Sequence, residues 1–418
     1  MGPRGWAVAS LVALVVVVGV VAALRVPWSM PPAPRSDQLE ALHSLPTDAV
    51  ARGRQFSAAV RLTMYVTLGI GLVVALGLGL TPVGARLIET VGRAFGGGWV
   101  AQVLVGGLVL VAIGELATLP VAAWREAIMR RYGLSTQTWT GWTVDLLKGY
   151  AVAAVVGAVT LLGFYGLTRL WPRWWWAAGA AGAGGLMVLF SFVFPVLVEP
   201  IFNKFTPMPD GELRTSLIAM ADRDGVPVRD VLVADASRRT TALNAYVSGL
   251  GPTRRIVVYD TLLREAPPEQ VEAVVAHELG HAKRNDVLTG TLIGAFGAAA
   301  AVCALYLLGS WAGLLRRAHV SSIVEPRALA LVVAIATIAG LVSLPLQNLL
   351  TRRIEARADA HALELTQDPA TVEQMEQRLA TTNLADVDPP RWHYLIFASH
   401  PSIVERMAEA RAYARGER

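Results

Sequence analysis

Two histidines and a glutamate in AVVAHELGHAKRND, residues 273–286, are residue types that a metal-dependent hydrolase needs. On a helix, positions i and i+4 share a face, so His277 and His281 can direct both imidazoles at one ion while Glu278 reaches a bound water. Zinc lowers the pKa of such a water to about 7, and the carboxylate can take its proton as the water attacks a peptide carbonyl. The alternative is a surface helix whose histidines and glutamate are solvated and bind nothing. We favour the metal site because the motif lies in a predicted helix, which is the context that metal binding by this motif requires.

A third metal ligand has to come from another segment. The best source is TRRIEARADAHALEL at residues 351–365, in which Glu355 and Asp359 lie one helical turn apart. Glu355 can complete the metal site if the two helices pack together, and Asp359 can then accept a hydrogen bond from a ligand imidazole. His361 and Glu364 compete for the ligand role on spacing alone, and an ordinary charged helix face is the remaining alternative.

The composition indicates a membrane protein. Of 418 residues, 54% are hydrophobic and only 17% charged, with a mean hydropathy of +0.47. The single cysteine, Cys303, excludes a cysteine-rich metal cluster, which leaves histidines and carboxylates as ligands. Arginines are scattered and form no basic run with aromatic residues, so no nucleic-acid partner is expected. The excess of arginine over lysine indicates a GC-rich bacterial genome.

Seven apolar stretches are long enough to cross the hydrocarbon core as helices. They cover residues 6–24, 62–80, 100–123, 150–167, 175–198, 288–315 and 329–350. The first stretch is alternatively a signal peptide, but its length and the many later spans favour a retained helix. The chain is therefore expected to be a multi-pass protein, with no indication of its oligomeric state.

The candidate chemistry lies in two polar segments that are expected to fold together. We divide the chain into five transmembrane helices with their loops at 1–198, the first part of the peptidase domain at 199–287, spans six and seven at 288–350, and the C-terminal part of the peptidase domain at 351–418. Short strands are expected in VRDVLVADA, ALNAYVSGLG and RRIVVYD. PPEQVEAVVAHELGHAKRND is expected to be helical, with prolines and acids at its start and basic residues at its end.

With seven spans, the loops after spans one, three, five and seven share one side of the membrane, and both polar segments lie there. Basic residues flank the spans in similar numbers on both sides, so the positive-inside rule does not choose an orientation. The working expectation is a bacterial cell membrane with the active site on the cytoplasmic side. Glu115 in the third span is expected either to face a water-filled chamber or to be hydrogen-bonded between helices.

Five motifs resemble those of the integral-membrane zinc metallopeptidases that include the type 1 CAAX prenyl proteases. They are EPIFNKFTPMPDGELR at 199–214, NAYVSGLGPTRRIVVYDTLL at 244–263, VVAHELGHAKRND at 274–286, RRIEARADAHAL at 352–363 and SHPSIVERM at 399–407. The resemblance implies an α-helical membrane protein whose seven helices enclose a chamber, capped by a mostly helical zincin-like domain with a small β-sheet. It further implies one Zn²⁺ per chain.

The same resemblance assigns roles to individual residues. The zinc ligands would be His277, His281 and Glu355, with Glu278 as general base and acid. Asp359 would be the carboxylate that accepts a hydrogen bond from a ligand imidazole. Four further residues would complete the site. Asn244 and Tyr246 would bind extended substrate along a strand, and His400 would stabilise the oxyanion. Arg406 would bind substrate or anchor the segment that carries His400.

The activity implied is removal of the C-terminal tripeptide from prenylated proteins, so the expected partners are a peptide or lipidated protein and the membrane lipid. One alternative is a membrane-protein quality-control metalloprotease with no prenyl requirement. Another is a non-catalytic binding or transport protein with a vestigial zinc domain, which predicts a lost base or ligand, although His277, Glu278, His281 and Glu355 are all present. A site-2 type intramembrane protease is disfavoured because charged residues bracket the zinc helix.

Overall fold

The structure is a computed structural model that describes residues 1–249 and 251–417, with only the backbone of Pro252. Seven helices in it are long and apolar enough to cross a membrane, as the sequence predicts. These are Pro3–Arg25, Thr47–Gly79, Trp99–Arg131, Trp139–Leu170, Trp175–Phe202, Asp286–Leu308 and Pro326–Thr366.

The helices are numbered in chain order. The first seven are α1 Pro3–Arg25, α2 Arg35–His43, α3 Thr47–Gly79, α4 Pro82–Ala94, α5 Trp99–Arg131, α6 Trp139–Leu170 and α7 Trp175–Val193, which a π-helical turn Phe194–Val198 extends. The rest are α8 Glu199–Phe202, α9 Glu212–Arg223, α10 Asp260–Glu265, α11 Pro268–Arg284, α12 Asp286–Leu308, α13 Ala312–Ala318, α14 Leu329–Thr366, α15 Pro369–Thr382, α16 Arg391–Phe397 and α17 Ile403–Ala414.

The ends of the last two spans differ from the prediction. Span six was expected to run to residue 315, but α12 ends at Leu308 and α13 is a separate helix. Gly309 allows this break because a Cβ there would lie 2.6 Å from Ile323. Span seven instead continues without interruption through the polar segment 351–365, so one helix joins the membrane to the candidate site.

A four-stranded sheet lies in the first polar segment, residues 199–287. Its strands are β1 Phe205–Pro207, β2 Asp230–Ala234, β3 Ala245–Ser248 and β4 Arg255–Tyr259, in the order β1-β2-β4-β3. β2 and β4 are parallel, and the other two pairs are antiparallel. Three strands were predicted, whereas β1 was not, because three residues ending in proline show no alternation. The predicted turn after β3 includes Leu250, which lies outside the described residues.

Both polar segments contribute to one hydrophobic core, to which α9, the sheet, α11, α14 and α15 supply buried side chains. Leu217, Ile256 and Leu279 are fully buried in it. Burial of a leucine such as Leu279 stabilises the fold by about 2 kcal/mol. The apolar face of α11 is therefore anchored to the core, which leaves the opposite face free to line a cleft.

Close packing of α11 against α14 depends on the glycine in the HELGH motif. A Cβ at Gly280 would lie 3.0 Å from the Cβ of His361, so any side chain there would push the two helices apart. Because α14 can approach this closely, its Glu355 reaches the histidines of α11. The sequence thus places a small residue where the geometry of the site requires one.

Candidate metal centre

His277, His281 and Glu355 meet at the junction of α11 and α14. The Nε2 atoms of the two histidines are 3.2 Å apart. Glu355 places Oε2 3.3 Å from Nε2 of His277 and Oε1 3.6 Å from Nε2 of His281. One ligand atom from each residue lies within 4.8 Å of the others. The helices predicted to supply the ligands therefore bring them together.

These atoms fit a single tetrahedral metal ion. Ligands held about 2.0–2.1 Å from one ion in a tetrahedron lie about 3.3 Å from each other, close to the separations above. Oε2 of Glu355 is buried and has no hydrogen bond of good geometry among the described residues. An unsatisfied buried acceptor costs about 1–3 kcal/mol, and a bound cation would remove that cost.

The other two candidates for the third ligand lie elsewhere. His361 packs against Gly280 of α11, and its Nε2 is 2.9 Å from Oδ2 of Asp224. Lys283 binds the other oxygen of that carboxylate at 2.6 Å. Glu364 is exposed to solvent. Of the three candidates, Glu355 is the one whose carboxylate lies beside the Nε2 atoms of both histidines.

A buried chain of charges lies behind His277. Asp359 places Oδ1 2.9 Å from Nδ1 of His277, and Arg406 donates to the same oxygen from Nη2 at 2.6 Å and Nε at 2.9 Å. The Arg406 guanidinium also lies 2.8 Å from Oε1 of Glu376, which is 1% exposed. Arg406 is thus held between two carboxylates, and Glu376 is a member of the site that the sequence analysis did not find. No spacing in the sequence indicates it, because only burial reveals its contact.

The second histidine has its own carboxylate, which sequence reasoning also missed. Oδ2 of Asp286 lies 3.0 Å from Nδ1 of His281, and Arg357 donates to the other oxygen. Asp286 follows Asn285, the left-handed C-cap of α11, so it begins the next helix directly beside the ligand. Its position five residues after His281, just beyond the helix end, was the available signal.

These carboxylates control the protonation of both imidazoles. Burial alone would lower the pKa of His277, but Asp359 and Glu355 outweigh it and raise the pKa to about 10. Burial likewise lowers the pKa of His281, but Asp286 and Glu355 outweigh this effect and raise that pKa to about 9. The surrounding carboxylates therefore favour the protonated form of the imidazoles when no metal is bound.

Metal binding at pH 7 is expected to release protons, because the ligand nitrogens must give up their protons to bind the ion. The affinity for metal should accordingly rise with pH up to the pKa values of about 9 and about 10. Calorimetric titrations in buffers of different ionisation enthalpy measure this release. Asp359→Asn removes a cause of the raised pKa of His277 and should reduce the number of protons released. Metal binding without proton release at pH 7 would contradict this electrostatic account.

Glu278 is half-buried on the cleft side of α11, beside the ligands. It lines a cavity of about 450 Å³ together with all three of them. Burial raises the pKa of Glu278, and the two neighbouring histidines partly oppose that effect. A carboxylate whose pKa is shifted towards neutrality can both accept and return a proton, which suits a proton shuttle.

His400 reaches the same centre from the loop after α16. Its Nε2 lies 3.3 Å from Oε2 of Glu355. Two residues of α14 fix this loop, because Asn348 donates to the carbonyl of Ile396 at 2.7 Å and Arg352 donates to the carbonyls of Tyr394 and Ala398. The helix that supplies the candidate ligand therefore also positions the histidine.

The Asn-Ala-Tyr segment forms one wall of the cleft. Asn244 is exposed and lines the cavity, and Asn383 fixes the preceding Leu243 by bonds to its backbone N–H at 2.8 Å and carbonyl at 3.1 Å. Tyr246 lies on β3 and donates to Glu199 at 3.4 Å. Because β3 is an edge strand of the described sheet, its outer side is open to an extended peptide.

Glu115 is half-buried on α5 within the membrane region. The Tyr150 side chain on α6 interacts with its carboxylate. Glu115 thus has a polar neighbour on the adjacent helix.

Comparisons with known proteins agree with this architecture. Residues 207–414 match the family described as Peptidase family M48, and residues 46–204 match the CAAX prenyl protease N-terminal region of five membrane helices. The chain is 30% identical over 339 residues to the metalloprotease YhfN of Bacillus subtilis, covering 78% of this chain and 74% of that protein. It is 31% identical over 313 residues to the CAAX prenyl protease 1 homolog of Arabidopsis thaliana, covering 70% and 69%.

The fold is that of a solved membrane protein. The crystal structure of S. mikatae Ste24p superposes with a TM-score of 0.75 at 21% identity, over 98% of this chain and 97% of that one. The predicted fold class and metalloprotease activity are confirmed. The chain belongs to peptidase family M48 and is a multi-pass membrane metalloprotease homologous to the CAAX prenyl proteases.

Proposed function

We propose that this metalloprotease binds one zinc ion through His277, His281 and Glu355 and uses Glu278 as general base and acid. The observation that carries the proposal is the meeting of two imidazole nitrogens and a carboxylate at tetrahedral spacing, with a further carboxylate in the same cavity. Two nitrogens and one oxygen from protein, with a position left open, are the typical ligand set of catalytic zinc.

When bound, zinc supplies Lewis acidity, which polarises a peptide carbonyl and makes water acidic enough to be deprotonated near pH 7. Glu278 then removes the proton as the water oxygen adds to the carbonyl carbon, and it delivers that proton to the nitrogen as the carbon–nitrogen bond breaks. His400 donates a hydrogen bond to the developing oxyanion, a role supported by its place in the cleft beside Glu355. Asp359 and Asp286 hold the imidazoles in place through their Nδ1 atoms.

We propose that the substrate peptide lies along β3, with Asn244 and Tyr246 beside the bond that is cleaved. The edge position of β3 and its place in the cavity wall support this arrangement. Arg406 acts indirectly, because its guanidinium is held by Asp359 and Glu376. Its role is then to position the segment that carries His400 and the carboxylate behind His277.

The proposed substrates are prenylated proteins that lose a C-terminal tripeptide. The names of the relatives from Arabidopsis thaliana and Saccharomyces cerevisiae, both called CAAX prenyl protease 1 or its homolog, support this choice. We further propose that the protein resides in a bacterial cell membrane, with residues 199–287 and 351–418 forming one catalytic unit on the cytoplasmic side. The core shared by the two segments supports the single unit.

A pair of peptides tests the substrate. Purified protein is incubated with a farnesylated CAAX peptide and with the same peptide lacking the farnesyl group, and the products are quantified by mass spectrometry. We expect release of the C-terminal tripeptide and a kcat/KM at least about tenfold higher for the farnesylated peptide, because each buried methylene group contributes about 0.8 kcal/mol. Equal cleavage of both peptides would contradict the prenyl requirement and favour a quality-control protease.

A further inference from the structure

A second, larger cavity adjoins the metal cleft and has no role in the chemistry above. It encloses about 880 Å³, against about 450 Å³ for the cleft itself. Its walls come from α7, α12 and the sheet, and include Val188, Phe192, Leu232 and Leu292. Two of its walls are therefore membrane helices.

The cavity lies at one end of a close contact between α7 and α12. Near the middle of α7, Gly184 would place a Cβ 3.3 Å from the carbonyl of Ala295 on α12, and Ser191 is 2.8 Å from Thr291 across the same contact. Beyond Ser191 the π-helical turn Phe194–Val198, which contains Pro195, replaces the regular α-helix. Such turns are often found at functional sites. The space between this turn and the start of α12 is the cavity.

The cavity shares a wall with the metal cleft. Tyr246, Val247, Gly249 and Val287 line both of them. Val287 directly follows Asp286, whose carboxylate lies 3.0 Å from His281. One molecule could therefore occupy both spaces, with one group in the larger cavity and the rest along β3 beside the metal ligands.

The chemistry of the walls identifies an amphiphilic occupant. Apolar side chains cover the end between α7 and α12, whereas Glu199, Arg229 and Arg255 lie at the end beside the sheet. A single amino-acid side chain would leave most of the volume empty, since pockets of 300–1,000 Å³ hold ligands of roughly drug size. The volume, the apolar lining and the wall shared with the cleft together match a long apolar chain linked to a peptide.

We propose that this cavity, which we call the α7–α12 cavity, receives the prenyl chain of the substrate while the peptide lies along β3. The proposal rests on the function proposed above, because it assigns a location to the prenyl group of that substrate. Burial of the chain between two membrane helices explains how a substrate anchored in lipid presents its peptide to the metal centre.

Two substitutions at one position change the size of the α7–α12 cavity in opposite directions. Leu292→Trp fills it, and Leu292→Ala enlarges it. Leu292 lines this cavity but not the metal cleft. The measured quantity is the ratio of kcat/KM for a geranylgeranylated peptide to that for a farnesylated peptide of the same sequence. We expect the ratio to fall at least about tenfold in Leu292→Trp, since excluding two methylene groups already costs about that much, and to rise in Leu292→Ala.

Val333→Trp is the matched control. Val333 lies on α14, is 41% exposed and lines neither cavity, so this variant adds the same side chain to a membrane helix without filling the cavity. Its ratio should equal that of the wild type. Val188→Trp, which fills the cavity from the α7 wall, provides a second filler if Leu292→Trp does not fold.

The outcomes separate this proposal from the function on which it rests. A wild type that cleaves farnesylated and unmodified peptides equally overturns the prenyl substrate. A wild type that prefers the prenylated peptide, with a chain-length ratio unchanged in Leu292→Ala and in a folded filler variant, overturns only the location of the chain. That result would mean that the α7–α12 cavity holds bilayer lipid instead of substrate.

Discussion

Replacing Glu278 with glutamine is expected to reduce peptide hydrolysis by roughly 10²–10⁴-fold, the contribution typical of a positioned general base. Glutamine has the same shape but cannot accept a proton from water. Glu278 is not among the three clustered ligand residues, so metal content should stay at one ion per chain. The measurements are kcat for the farnesylated peptide and metal content by elemental analysis of the same preparation.

Glu269→Gln is the control for this experiment. Glu269 is an exposed glutamate in the first turn of α11 and lines neither the metal cleft nor the α7–α12 cavity. It should retain the activity of the wild type. Hydrolysis that persists in Glu278→Gln with full metal content would assign proton transfer to another group and overturn the proposed mechanism.

Glu355→Gln should cause the second large loss of activity, because this substitution weakens the binding of the metal ion itself. Glu355 carries the negative charge that would balance the cation. Its buried Oε2 has no hydrogen bond of good geometry in the described structure. Loss of an outer partner of a ligand already costs about 10–100-fold in metal affinity, so loss of a ligand charge should cost more. The affinity is measured by competition with a chelator of known strength, and activity should return only at high metal concentration.

Glu364→Gln provides a matched control on the same helix. Glu364 lies nine positions after Glu355, is exposed, and was a competing candidate for the ligand on spacing alone. We expect its metal affinity and activity to equal those of the wild type. Loss of metal in Glu364→Gln and retention in Glu355→Gln would reverse the assignment of the third ligand.

Local patterns predicted the elements that carry the site. The HELGH motif places two histidines on one face of any helix, and the proline and acid before it favour a helix that begins at Pro268, where α11 does begin. Apolar runs of about 20 residues predicted all seven membrane helices, because the thickness of the hydrocarbon core sets the length of such a run. Both inferences depend on residues that are close in sequence.

Contacts between distant residues were not predictable in the same way. Spacing left Glu355, His361 and Glu364 as candidates, and the packing of α14 on Gly280 decided which of them faces the imidazoles. No sequence pattern indicates Glu376. Its role becomes visible only in the structure, where the buried carboxylate pairs with the guanidinium of Arg406. The α7–α12 cavity likewise depends on how α7, α12 and the sheet come together.

The sequence by itself determined the membrane class, the seven spans and the pair of histidines with the neighbouring glutamate. Each of these follows from hydrophobic length or helical periodicity, which act over a few turns of chain. Spacing left the third member of the cluster open and the family resemblance assigned it to Glu355, which the tertiary structure places beside both histidines. Only the tertiary structure revealed the carboxylates Asp286 and Glu376 and the wall shared by the metal cleft and the α7–α12 cavity. Those features arise where segments far apart in sequence pack together, and no local pattern records which faces will meet.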